Sequence, residues 1–195
     1  MQQPPRLPSS MDGTEVDLGG VPLPLLYSSA GQINAQVPFG LSGNTQYQVV
    51  VQRGSALSVP ESFTVAAAEP GIFTTNMQGT GQGVIMKSDQ VTLAQAATPA
   101  ARGEVVVIYC SGLGAVNPPV KQGDAPTTAS RTVNEATVTI GGVKADVQYA
   151  GVTPGYAGLY QVNATVPVTV APGNAVPVTI TVAGQTSNTV TIAVK

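Results

Sequence analysis

Two short stretches decide how this chain is read: Gln32-Ile33-Asn34-Ala35-Gln36-Val37-Pro38 and Gln161-Val162-Asn163-Ala164-Thr165-Val166-Pro167. They are one motif written twice, 129 positions apart. In each, aliphatic residues alternate with polar ones. Ile33, Ala35 and Val37 (then Val162, Ala164 and Val166) fall on one face, and the polar side chains fall on the other. A period of two belongs to an antiparallel strand with one face on a core and one toward water. The proline closes the strand where its ladder stops.

The match extends outward in the same order. Residues 19–27 (GGVPLPLLY) answer residues 141–149 (GGVKADVQY) at an offset of 122, so the second copy carries seven extra residues around AGVTPGYAG. Tyr47 to Gly54 (YQVVVQRG) answers Pro177 to Gly184 (PVTITVAG), and Ser62 to Val65 answers Thr189 to Ile192. Four blocks in one order predict two copies of a single module. Gly19-Gly20 and Gly141-Gly142 suit tight hairpin turns, because both central residues of such a turn take positive φ. Short strands with turns every 8–12 residues fit an immunoglobulin-like sandwich. The expected fold is therefore all-β: two tandem immunoglobulin-like β-sandwiches, the first lacking its N-terminal strand. Residues 1–68 form the first module, 69–101 an ordered linker with a hairpin around Lys87 to Gln90, and 102–195 the second. The second module opens with Glu104-Val105-Val106-Val107-Ile108-Tyr109-Cys110, a strand with no counterpart ahead of Asp12. A sandwich short of a strand leaves backbone groups and core unpartnered. Strand addition, from a neighbouring copy in a homodimer or from an upstream segment, is expected to fill that gap. Ala94 to Ala101 is the one helix-prone stretch, and Pro99 limits it.

Composition agrees. The 195 residues include 29 Val and 21 Thr, both branched at Cβ and strand-favouring, with 22 Gly and 16 Pro as punctuation. Charged residues are 9% of the chain, and net charge is −2. With no His there is no Ser-His-Asp triad or Cys-His pair, and with one Cys there is no zinc site of the usual ligands. No enzyme activity and no cofactor are expected. The eight Lys and Arg lie ten or more positions apart, so no nucleic-acid partner is expected. The longest apolar run, Val105 to Cys110, is six residues, too short for a membrane span of about twenty. Cys110 reads as a small buried hydrophobe. MQQPPRLPSS is no signal peptide, yet low Lys and Glu with abundant Thr, Ser, Asn and Gln suggest a fragment of an exported protein whose signal lies upstream.

Three groups of residues stand as candidate sites. Asp12, Glu15 and Asp17 offer oxygen ligands of the kind Ca²⁺ takes, but their spacing lacks the order of a calcium loop. A solvated turn beside a charged edge strand accounts for them better. Gln32, Asn34 and Gln36, with Gln161 and Asn163, form amide rows whose donors and acceptors suit sugar hydroxyls. Tyr156 and Tyr160 of the inserted loop would add a stacking surface. The alternative is a polar sheet face, or a face on the neighbouring module, and scattered tyrosines without Trp favour that alternative. The glycines at 79, 81 and 83 and at 112 and 114 match no phosphate-loop spacing and read as turns.

The strings GGVPLPLLYSSAGQINAQVPFGL, EPGIFT, GQG, AARGEVVVIYCSGLGAVNPPV and GLYQVNATVPVTVAPGNAVPVTITVAGQTSNTVTIAV resemble a family of uncharacterised C-terminal domains of large exported proteins, abundant in soil acidobacteria. Each half is also similar to IPT/TIG domains, immunoglobulin-like folds that are often serial. They occur in cell-surface receptors, beside catalytic domains of glycan-acting enzymes, and in some transcription factors. The first half departs from that pattern at its missing first strand. The resemblance implies an extracytoplasmic, non-catalytic module that mediates spacing or protein–protein contact, with upstream domains of the same polypeptide and a protein or glycan as partners. A carbohydrate-binding module assisting an upstream enzyme is the alternative. The resemblance supplies no catalytic residues.

Overall fold

A computed structural model describes residues 6–195. Its N-terminal part holds β1 (Ser10–Met11), β2 (Thr14–Leu18), β3 (Val21–Pro22), β4 (Leu25–Ser28), β5 (Ile33–Ala35), β6 (Thr45–Arg53), β7 (Ala56–Leu57) and β8 (Glu61–Val65). β9 (Gly71–Ile72) and β10 (Ile85–Lys87) follow. The C-terminal part holds β11 (Val105–Ser111), β12 (Val116–Asn117), β13 (Ser130–Thr132), β14 (Ala136–Ile140), β15 (Val143–Val152), β16 (Tyr160–Thr165), β17 (Gly173–Val182), β18 (Gln185–Thr186) and β19 (Val190–Val194). The protein is all-β and sandwich-like. No helix forms among the described residues, Ala94 to Ala101 included. There the backbone is committed elsewhere: the carbonyl of Ala94 and both polar groups of Ala100 bond to Ala193 or Lys195.

The strand pairings repeat as the blocks do. β2 pairs with β6 as β14 pairs with β17. β6 carries β7 and β8 as β17 carries β18 and β19. β4 pairs with β5 as β15 pairs with β16. The Gly-Gly turns also match: Gly19 and Gly20 have φ of 58° and 86°, Gly141 and Gly142 of 59° and 79°. Residues with a Cβ disfavour that conformation, so the repeat of both glycines has a steric cause. At the first turn the Asp17 carboxylate accepts the Gly20 N–H at 2.6 Å.

Alternation places the cores. Thr14, Val16 and Leu18 point inward from β2 while Glu15 is exposed. Val16, Leu18, Leu23 and Leu25 form a small cluster covered by Ile33, Leu41, Tyr47, Val49 and Val51. In the C-terminal part, β15 runs ten residues and joins two sheets. Its first residues pair with β14 and its last with β16 and β13, with a bulge between Val147 and Tyr149. Between those layers lies a larger cluster that includes Val106, Ile108, Cys110, Val138, Ile140, Val162, Ile180 and Ile192.

Residues 69–101 do not run free between these clusters. β9 and β10 both pair with β11. Beyond β10 the chain turns back: Met86 bridges Leu93, and the Lys87 N–H donates to the Thr92 carbonyl at 2.8 Å. The Asp89 carboxylate organises its turn by accepting from the Thr92 hydroxyl at 2.6 Å and from the Val91 and Thr92 N–H groups. Those bonds favour the ionised form and hold the Asp89 carboxyl at about 2, below its usual value. The segment is also laced to β19, through Gly81, Gly83, Ala94 and Ala100, and Arg102 just beyond it donates to the Lys195 carbonyl.

Candidate functional site

The feature that sets this molecule apart is a difference between equivalent strands. β16 has neighbours on both sides, β15 and β11. β5 has one, β4. In the C-terminal part, the Val166 N–H donates to the Glu104 carbonyl at 2.9 Å, and its own carbonyl accepts from the Gly103 N–H at 2.8 Å. Val166 is 0% exposed. Its repeat equivalent, Val37, is 48% exposed. Gln36 donates its N–H to the Pro24 carbonyl and Gln32 accepts from the Ser29 N–H, so even-numbered residues aim their backbone at β4. By the period of two, Ile33, Ala35 and Val37 aim theirs away, along the open edge.

Beside that edge lies a groove of about 1050 Å³. Ile33, Val37, Phe39 and Leu41 form one wall, and Phe63 and Phe73 reach it from β8 and the chain beyond β9. Its floor continues through Ala67, Gly112, Gly114 and Leu159. Glu69 is the one charged residue among those lining it. The glycines at its end are close-fitted: a Cβ on Gly114 would sit 2.3 Å from the Ala67 carbonyl oxygen.

The groove ends where the two parts of the chain meet. The Gln36 side-chain oxygen accepts the Gly123 N–H at 2.9 Å, and the Leu7 N–H donates to the Gly123 carbonyl at 2.9 Å. Arg6 pairs with Asp124 at 3.4 Å, and Gln122 reaches the Pro22 carbonyl. Phe39 stacks at a tilt against Tyr160, ring centres 6.5 Å apart. The Tyr160 hydroxyl donates to the Gly114 carbonyl, and burial pushes its pKa up.

The candidate residues separate in space. Gln32, just before β5, and Asn34 within it lie exposed, and the Gln32 amide donates to the Asn34 side-chain oxygen at 2.7 Å. Gln161 and Asn163 repeat that bond at 3.1 Å, but Gln161 is buried. Gln36 is buried too, turned into the junction, so the amide rows do not form two outward faces. Tyr156 is exposed, whereas Tyr160 belongs to β16 and is buried, so the two rings do not make one stacking surface. Asp12 sits in the turn before β2 at a φ of 51°, while Asp17 is engaged by Gly20. Among the described residues, no three His, Cys, Asp or Glu side chains gather to share a metal ion. Cys110 is fully buried, and burial drives its thiol pKa up. No described helix is long and apolar enough to cross a membrane.

Two functional contacts had weaker signals. Gln36 stands opposite Thr165 in the repeat, the single polar-face position where the two motifs differ, and that departure marks the junction. Asn188 carries no repeat signal. Its side chain accepts the Ile72 N–H at 2.7 Å and donates to the carbonyls of Ile72 and Gly79 at 3.0 and 2.7 Å, fastening β9 to the end of β19's sheet.

No protein-family model matches the chain, and no curated protein sequence matches it.

Proposed function

We propose that this chain is a non-catalytic structural or adhesion module of a larger exported bacterial protein, setting spacing and making protein–protein contact. The observation that carries the reading is the tied junction beside an apolar groove. Backbone, side-chain and ring contacts from Arg6, Leu7, Gln36 and Phe39 hold the two parts in one relation. A fixed relation is what a spacer or a presenting surface requires. Two small immunoglobulin-like sandwiches in series, as in IPT/TIG arrays, account for the repeated pairings. The extracytoplasmic setting rests on the low charge and on the resemblance to acidobacterial exported proteins.

The test is a distance measurement between spin labels at Ser55→Cys and Gln185→Cys, both exposed and at the equivalent turns of the two parts. Cys110 is buried and stays unlabelled. One narrow distance is expected in the wild-type background, and a broader distribution after Gln36→Leu. A broad distribution in both would refute the spacer reading.

A second reading, a carbohydrate-binding module, draws on the exposed amides of Gln32 and Asn34 and on the exposed Tyr156 ring. A glycan array separates the two. Saturable binding lost on Tyr156→Ala would replace the first reading with the second.

A further inference from the structure

We infer that the open edge of β5 is a strand-docking site whose occupant is an extended, uncharged, β-branched peptide segment running antiparallel to it. This names the contact within the adhesion reading above and rests on it.

The repeat shows what such an edge takes. At the equivalent position in the C-terminal part lies β11, paired in register as Val106 to Ala164 and Ile108 to Val162. Shifted by the repeat offset, those partners become Ala35 and Ile33. Val106, Ile108 and Cys110 are 0% exposed and fill the space under β16. Under β5 that space is the groove. Three properties then fix the occupant. Unpaired backbone groups alternate along Ile33, Ala35 and Val37, which calls for a strand rather than a helix or a small molecule. The lining is mostly apolar, with uncharged polar side chains such as Thr64, Ser111 and Asn134 and Glu69 its one charge, which calls for uncharged side chains. Finally, the groove is continuous with the junction at Phe39, Gly114 and Tyr160, so a docked strand extends an interface already made.

A second copy of the chain is the poorer donor. Its own strand of this chemistry, β11, is held by β16 along one edge and by β9 and β10 along the other. A separate peptide segment carries no such commitment.

The experiment uses the full chain and a synthetic peptide of residues 105–111, capped at both ends, with Cys110→Ser. Binding is followed by calorimetry, and amide exchange locates it. The expected result is saturable 1:1 binding with new protection at Ile33, Ala35 and Val37. A peptide carrying Ile108→Pro, which removes the N–H that faces the partner strand in the register of Ile108 with Val162, is expected to bind at least about tenfold more weakly. The inference is overturned by no binding, by equal binding of the proline peptide, or by protection elsewhere. It is also overturned if light scattering shows a dimer whose β5 amides are already protected. Failure here with a narrow spin-label distance removes the docking site and leaves the spacer reading standing. A broad distance or saturable glycan binding removes that reading instead.

Discussion

Val37 and Val166 occupy the same position of the repeat, and the same substitution at each separates a partnered strand from an unpartnered one. Val→Ala removes the equivalent of two methyl-sized groups. At Val166, 0% exposed, this forfeits about 1.6 kcal/mol of transfer free energy at about 0.8 kcal/mol per buried carbon. The space left among Val106, Ala164 and their neighbours adds a cavity contribution, so the expected loss is about 2–3 kcal/mol. At Val37 half of the side chain is already in water, and no closed cavity forms. The expected loss there is about 0.8 kcal/mol or less. In a chain of this size 1 kcal/mol moves a melting midpoint by about 2–4 °C, so Val166→Ala should lower it by about 5–10 °C and Val37→Ala by about 3 °C or less. Scanning calorimetry reads both, and each variant is compared on the transition its own part contributes. Equal losses at the two positions would refute the reasoning. They would mean that Val37 is covered in solution and that the edge of β5 is not open.

Three further outcomes follow from contacts elsewhere. Asn188→Ala strips three backbone partners from Ile72 and Gly79; it should cost about 2–4 kcal/mol and raise amide exchange first at residues 71–83, a pattern that uniform loss across the chain would contradict. The Asp89 carboxyl should titrate near 2 by NMR rather than near its ordinary 3.8. Because its folded value is depressed, its stabilising contribution to the hairpin is present above 3.8 and is lost as pH falls toward 2, and Thr92→Val should move the titration upward. Cys110 should resist a thiol reagent at pH 8 in the folded protein and react fully in denaturant; rapid native labelling would show that β11 opens.

The repeat was legible because strand alternation and the Gly-Gly turns are written in side chains. Each block landed on a strand, and equivalent blocks pair alike. What stayed hidden is work done by the backbone. Residues 69–101 read as a linker, yet Gly81, Gly83, Ala94 and Ala100 bind β19 through main-chain groups that leave no compositional mark. Amide rows were visible as chemistry but not as surface. Gln36 and Gln161 follow the polar period of their strands, and their burial comes from elements distant in sequence: the loop at Gly123, and the strand β11 laid beside β16. The sequence places Tyr160 with the inserted loop because nothing local marks where that loop ends. The strand begins at Tyr160 itself, and its ring turns inward against Phe39. The lone departure on the polar face of the repeated motif, Gln36 against Thr165, is the one local trace of the junction.

The lacing of the middle segment to β19 also sets how the molecule carries load. Gln82 lies parallel to Thr191, and Ala100 lies parallel to Val194. Tension applied at Lys195 and through the N-terminal part pulls these neighbouring stretches in opposite directions along their own axes. The bonds from Gly81, Gly83, Ala94, Ala100 and Arg102 then bear the force together in shear, rather than opening one after another like a zip. Peeling β19 away from its C-terminal end therefore requires these bonds to break together.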